Sequence, residues 1–178
     1  MQQNDQNQTS DGVAKIGKGM WFAAWIMGIF LLTVFFDDQL EKQENPNQNP
    51  DSRVAGDYTE VILKRNRFGH YISSGEINGH PVVFMLDTGA TGVSIPQEIA
   101  QSIGLRKGAA FQTYTANGIG TGYRTGIDSL SIGNISVGAM DAGIAPNMPG
   151  GQVLLGMSVL KQLEFTQRGD QLILRQYR

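Results

Sequence analysis

Five apolar residues, Val82-Val83-Phe84-Met85-Leu86, run directly into Asp87-Thr88-Gly89-Ala90-Thr91-Gly92. The unbroken apolarity predicts a buried strand. A strand ending this way delivers a carboxylate out of the core. Buried carboxylates are strongly disfavoured unless paired or hydrogen-bonded, so packing alone gives no reason for an acid here. Glycine behind the hydroxyl residue allows a turn whose N–H groups approach the acid. The chemistry on offer is proton transfer, as general acid or general base. A plainer reading is a turn that caps the following segment, and the tripeptide alone does not separate the two.

Other reactive groups are scarce. The chain has no Cys and only 2 His. Thiolate chemistry is excluded, and too few imidazoles remain for a His-rich metal site, so no metal and no cofactor are expected. His70 and His80 flank one expected hairpin with no third ligand near them in sequence, and read as surface or turn residues. No serine lies in a G-x-S-x-G elbow. Gly118-x-Gly120-x-Gly122 looks like a phosphate loop, but it lacks the Gly-Lys-Ser/Thr ending and no helix signal follows. With 14 Lys+Arg against 16 Asp+Glu the formal net charge is −2, which removes the electrostatic case for nucleic acid.

The elements that must position Asp87 read as strands. The chain has 23 glycines, many in turn pairs. Asn78-Gly79 carries the signature of a tight hairpin. Gly133-Asn134 predicts another, with Leu130 and Ile132 facing Val137 and Ile135. Arg168-Gly169-Asp170 predicts a third, and the glycine-rich stretch at 117–122 reads as the mobile tip of a long one. Helix signals are confined to Pro96–Ile103, which opens on proline and stops at Gly104, and to Met157–Gln162. Residues 58–178 are therefore expected to form an all-β domain, a small closed barrel or sandwich with one or two short helices.

Residues 1–18 are polar and read as a disordered tail. Residues 20–36, MWFAAWIMGIFLLTVFF, contain no charge. As helix they rise about 26 Å, the short end of a bilayer span. Trp21 and Trp25 lie at one end, where indoles favour the membrane interface. A single transmembrane signal anchor over 19–37 is expected, because the run is longer than a usual signal-peptide core and no small-x-small cleavage site follows. Residues 38–57, with two prolines and little apolar content, read as a flexible tether. Lys15 and Lys18 lean toward a cytoplasmic N-terminus. The domain would then face outward from the inner membrane, into the periplasm if the cell has two membranes.

Downstream lies Leu154-Leu155-Gly156, ahead of the second helix signal. Met85-Leu86-Asp87-Thr88-Gly89-Ala90, the glycine-rich hairpin at 115–122 and Leu154-Leu155-Gly156 together resemble the retropepsin-like aspartic proteases, bacterial membrane-anchored members included. The resemblance covers about residues 58–178. It implies an acid-protease fold and a catalytic role for Asp87. It implies that Thr88 makes hydroxyl-to-backbone bonds locking two active loops at a dimer axis, and that Gly89 and Ala90 shape the loop. Asn117, Gly118, Ile119, Gly120, Thr121 and Gly122 would form a flap over a peptide or protein substrate. Departures from the family pattern are the extra glycine of the flap and the long loop 143–152.

Peptide hydrolysis without metal, Cys or activated Ser needs a base for water and an acid for the carbonyl oxygen. One carboxylate, ionised near neutrality, cannot be both. Two carboxylates about 3 Å apart share a proton and supply both roles, the established behaviour of aspartic-protease dyads. Asp141-Ala142-Gly143 is a poor second copy, lacking the hydroxyl, and Asp128 reads as a turn acid. The expectation is a C2 homodimer with one Asp87 from each chain. The rival reading is a catalytically inactive, anchored module that keeps the groove for peptide binding or dimerisation.

Overall fold

The computed structural model describes residues 5–115, 118–148 and 150–178. It divides into a unit ending at Glu41 and a unit spanning Lys42–Arg178.

Helix α1 spans Asp5–Glu44. Its stretch Met20–Glu44 is long and apolar enough to cross a membrane, and none of its apolar window is buried. The helix extends past the expected span in both directions. From Asp5 onward the expected tail is helical, and so are residues 38–44 of the expected tether. No proline interrupts it before Pro46. There the missing N–H, and the bias of the preceding Asn45 away from helix, end it.

The second unit carries the strands β1 (Asp51–Ala55), β2 (Tyr58–Lys64), β3 (Tyr71–Ile77), β4 (His80–Leu86) and β5 (Val93–Pro96). Helix α2 (Gln97–Ser102) follows, then β6 (Ala110–Thr115), β7 (Gly118–Ile127), β8 (Leu130–Ile132), β9 (Ile135–Val137), β10 (Met140–Ala145) and β11 (Val153–Leu155). Helix α3 (Met157–Leu160), β12 (Glu164–Arg168) and β13 (Gln171–Tyr177) complete it. A four-stranded sheet has the order β1-β2-β13-β12, and a nine-stranded sheet the order β6-β7-β10-β5-β11-β4-β3-β8-β9. Of the two expected architectures, the structure is sandwich-like rather than a closed barrel. The inward residues of both sheets meet in one core, with Val61, Leu63 and Leu174 from the smaller sheet and Phe84, Ile95, Ile127 and Leu155 from the larger.

The expected hairpins are present. Asn78 and Gly79 both have positive φ, at 51° and 75°, between β3 and β4. Leu130 pairs with Val137 and Ile132 with Ile135 across Gly133-Asn134. Gly169, at φ 60°, turns β12 into β13. The two short helices fall where expected, each slightly shorter than the signal.

The tether is where composition misleads. Asn45 and Asn47 are buried. Asn47 Nδ2 donates to the carbonyls of Lys64 at 2.9 Å and Ile72 at 2.6 Å, and its Oδ1 accepts from the Lys64 N–H at 2.7 Å. Asn45 Nδ2 donates to Ser74 Oγ, and Asn66 Nδ2 donates to the Glu44 carbonyl. The side-chain amides replace the ladder bonds that a strand would make, so the segment is sewn to β2 and β3. Residues 51–55 then form β1, paired along its whole length with β2.

Candidate active site

Strand β11 lies between β4 and β5, parallel to the first and antiparallel to the second. The chain segment joining β4 to β5 is the Asp87 loop, so a strand from far along the sequence runs directly beneath it. Pairing sets Leu154 beside Met85 and Leu155 beside Leu86. The Leu155 carbonyl then accepts the Asp87 N–H at 3.1 Å. Beyond the strand, the N–H of Met157 donates to the Ala90 carbonyl at 2.8 Å, and that of Ser158 to the Thr91 carbonyl at 2.9 Å. Both ends of the loop are thereby bolted to Leu154-Leu155-Gly156 and the start of α3.

Gly156 permits that approach. A Cβ there would collide with the Ala90 carbonyl and sit 2.5 Å from the Gly92 carbonyl oxygen. These are backbone atoms, the first held by the bond to Met157, with no side chain able to move aside.

Within the loop, Asp87 Oδ1 accepts the Gly89 N–H at 2.8 Å, and the Asp87 carbonyl accepts the Ala90 N–H at 3.2 Å. Asp87 and Ala90 are half-buried, while Thr88 and Gly89 are exposed. The Thr88 hydroxyl, expected to bond to backbone, has no partner among the described residues of this chain. The arrangement holds one carboxylate in a fixed direction by one of its oxygens and leaves it accessible.

The flap candidates lie on the hairpin of β6 and β7, registered from Ala110 opposite Tyr123 to Thr115 opposite Gly118. Gly118, Ile119, Gly120, Thr121 and Gly122 begin β7, and the tip residue Asn117 lies outside the described residues. Ile119 is 69% exposed. Phe111 explains two of the glycines, because a Cβ at Gly122 would lie 2.8 Å, and one at Gly143 3.0 Å, from its ring. The hairpin joins the Asp87 region through the order β7-β10-β5. A cavity of about 370 Å³ lies beside β5 and β10, lined by Pro96, Glu98, Pro146 and Met148 among others, and not by the Asp87 loop. His70 and His80 are exposed, as are Asp128 and Asp141. The sequence reading missed Thr91 and Gly92 as parts of the site's frame, although they directly follow the motif.

A deep carboxylate lies elsewhere. Glu60 on β2 is 1% exposed. Arg53 Nε donates to its Oε1 at 2.9 Å, and Arg175 Nε to its Oε2 at 2.7 Å. The hydrogen bond from Arg175, followed by the bond and charge of Arg53, outweighs burial and holds the carboxyl below its ordinary value.

The comparisons place this geometry. The family model described as "gag-polyprotein putative aspartyl protease" matches residues 73–162, which include the Asp87 loop, the flap hairpin and Leu154-Leu155-Gly156. The chain belongs to this family of retropepsin-like aspartic proteases. An uncharacterized protein encoded in the cobV 5' region of a Sinorhizobium species is 33% identical over 175 residues, covering 90% of this chain and 75% of that one. An uncharacterized protein of Rickettsia prowazekii is 28% identical over 131 residues, covering 65% of this chain and 50% of its own length. The crystal structure of a retropepsin-like aspartic protease from Rickettsia conorii matches with a TM-score of 0.60 and 28% identity, over 70% of this chain and 96% of that one.

Proposed function

We propose that the protein is a membrane-anchored aspartic endopeptidase in which two Asp87 carboxylates of a homodimer activate the water that attacks a peptide bond. The carrying observation is Asp87 itself: fixed at one oxygen by the Gly89 N–H, half-buried, and mounted on a loop bolted to β11 and α3. Neither of the other aspartates weighed as a second acid is carried by the Asp87 loop: Asp128 is exposed in the bend between β7 and β8, and Asp141 is exposed on β10. A partner chain supplies the missing acid by symmetry. One carboxyl of the pair, ionised, takes the proton of the water, while the other, protonated, donates to the substrate carbonyl oxygen. Thr88, exposed and without a partner among the described residues, would bond across the axis. The flap from Gly118 to Gly122, with Ile119 at its exposed end, closes on an extended peptide. The apolar helix anchors the domain to the inner membrane, with the domain on the outer side.

The test is peptide cleavage at pH 4–6 by the full chain in detergent, against Asp87→Asn. Equal activity in the two would sink the catalytic reading. Activity that stays with a strictly monomeric species would sink the dimer.

A further inference from the structure

The turn from β2 into β3 reads Lys64-Arg65-Asn66-Arg67-Phe68-Gly69-His70, and only Asn66 of the seven is buried. Asn66 builds the loop from inside. Its Oδ1 accepts the N–H groups of Phe68 at 3.0 Å and His70 at 2.9 Å, and its carbonyl accepts the Gly69 N–H at 3.1 Å. Gly69, at φ 90°, supplies the reversal. With these backbone groups satisfied internally, the side chains are held outward. Phe68 is 58% exposed, and the Arg67 guanidinium lies 4.6 Å from the centre of its ring. Lys64, Arg65 and Arg67 have no ion pair among the described residues.

An isolated exposed phenylalanine is ordinary on a protein surface. This one is rigidly presented, flanked by three cations, and tied to the residues that follow the apolar run. Arg67 Nη1 donates to Gln43 Oε1 at 2.8 Å, and Asn66 Nδ2 to the Glu44 carbonyl at 3.0 Å. The apolar run ends at Phe36, seven positions before Gln43. Seven residues of helix rise about 10 Å, close to the depth of one headgroup layer, about 5–8 Å. We infer that the loop 64–70 docks on the phospholipid headgroups of the membrane that holds α1, with Phe68 entering the interface and Lys64, Arg65 and Arg67 meeting lipid phosphates. This docking presupposes the membrane-anchored reading and adds which part of the domain lies against the bilayer.

The chemistry suits that surface. An aromatic ring capped by a guanidinium has an apolar body and a polar head, the combination that favours the membrane interface. Guanidinium N–H groups match phosphate oxygens in pairs. Asp37, Asp38, Glu41 and Glu44 also follow the apolar run, and an anionic surface repels them. Attraction to phosphate is therefore confined to the loop, and the ring carries much of the hold. Other exposed apolar side chains of the second unit lack this combination. Val54 follows an arginine already engaged by Glu60, Ile119 lies among the flap glycines, and Tyr177 donates its hydroxyl to Glu164.

The chain has no cysteine, so a single label can be placed cleanly. Full-length His70→Cys carries an environment-sensitive dye in vesicles of phosphatidylcholine and phosphatidylglycerol. A quencher fixed at headgroup level is expected to quench it, and not the same dye at Gln101→Cys on α2, which is also exposed. Adding Phe68→Ser is expected to lower the ratio of docked to free loop about tenfold. Adding Arg67→Glu should lower it about fivefold, and neither change should alter melting in detergent. Quenching at position 70 no stronger than at 101, or unmoved by both substitutions, would overturn the docking. If alkaline carbonate leaves the chain in the vesicles while position 70 stays unquenched, the anchor stands and only the docking falls. If carbonate strips the chain from the vesicles, the anchored reading falls and the docking with it.

Discussion

Two carboxylates, one on a strand of the smaller sheet and one on a loop of the larger, show what a finished and an unfinished site look like. Glu60 is buried, and both its oxygens are taken by arginines of its own chain. Asp87 is half-buried, and one oxygen is held by a backbone N–H. The first acid is saturated and so can only hold structure together. The second is aimed but unsaturated, on a loop hydrogen-bonded to β11 and to the start of α3. Burial and partner number separate an acid that can only stabilise the fold from one left accessible, the first within a strand and the second on the loop that follows one.

That contrast can be broken by substitution. Asp87→Asn keeps the acceptor for the Gly89 N–H but removes the proton-sharing acid. Peptide cleavage should fall by about 10³-fold or more, with stability changed by no more than about 0.5 kcal/mol. A large loss of stability would mean that Asp87 is a structural acid like Glu60. Glu60→Gln should do the opposite: denaturant unfolding should show a loss of about 3 kcal/mol, because two arginines lose their anion and one is left partly buried, while the folded fraction cleaves normally. Gly156→Ala tests the scaffold between them. Its Cβ meets fixed backbone, so both stability, by about 2–3 kcal/mol, and cleavage should drop. Asn47→Ala strands the Lys64 N–H and two carbonyls, and should cost about 2 kcal/mol by the same unfolding measurement, with no change in cleavage by the folded protein.

The smallest effect is on pH. Because Glu60 is held below its ordinary 4.5 in the folded chain, its contribution to stability is complete above that value. It is lost as pH falls through the lower folded value. Acid titration of unfolding should therefore show a decline below pH 4.5 that Glu60→Gln lacks; identical curves would mean that the pair of arginines contributes nothing.

The site was legible because its signals are contiguous. Five apolar residues followed by Asp87-Thr88-Gly89 need no knowledge of the rest of the fold, and turn glycines such as Gly79, Gly133 and Gly169 act on their immediate neighbours. What escaped depends on distance along the chain. Asn47 reads as linker by composition, yet its amide spans to Lys64 and Ile72. Glu60 is bonded to Arg175, 115 positions away, so nothing near it in sequence reveals that it is buried. Gly156 was recognisable as part of a motif, but the reason for its lack of a side chain lies in the carbonyls of Ala90 and Gly92. The insertion of β11 between β4 and β5 follows from the same long-range closure.

The sewing of residues 44–55 into β2 and β3 sets where this polypeptide can be severed. A cut anywhere from Asn45 to Ala55 would strip buried amides or the Arg53 half of the Glu60 cage from the body it belongs to. Shedding an intact domain therefore requires a break upstream of Glu44, and whatever diffuses away keeps its asparagine stitching as a permanent stub.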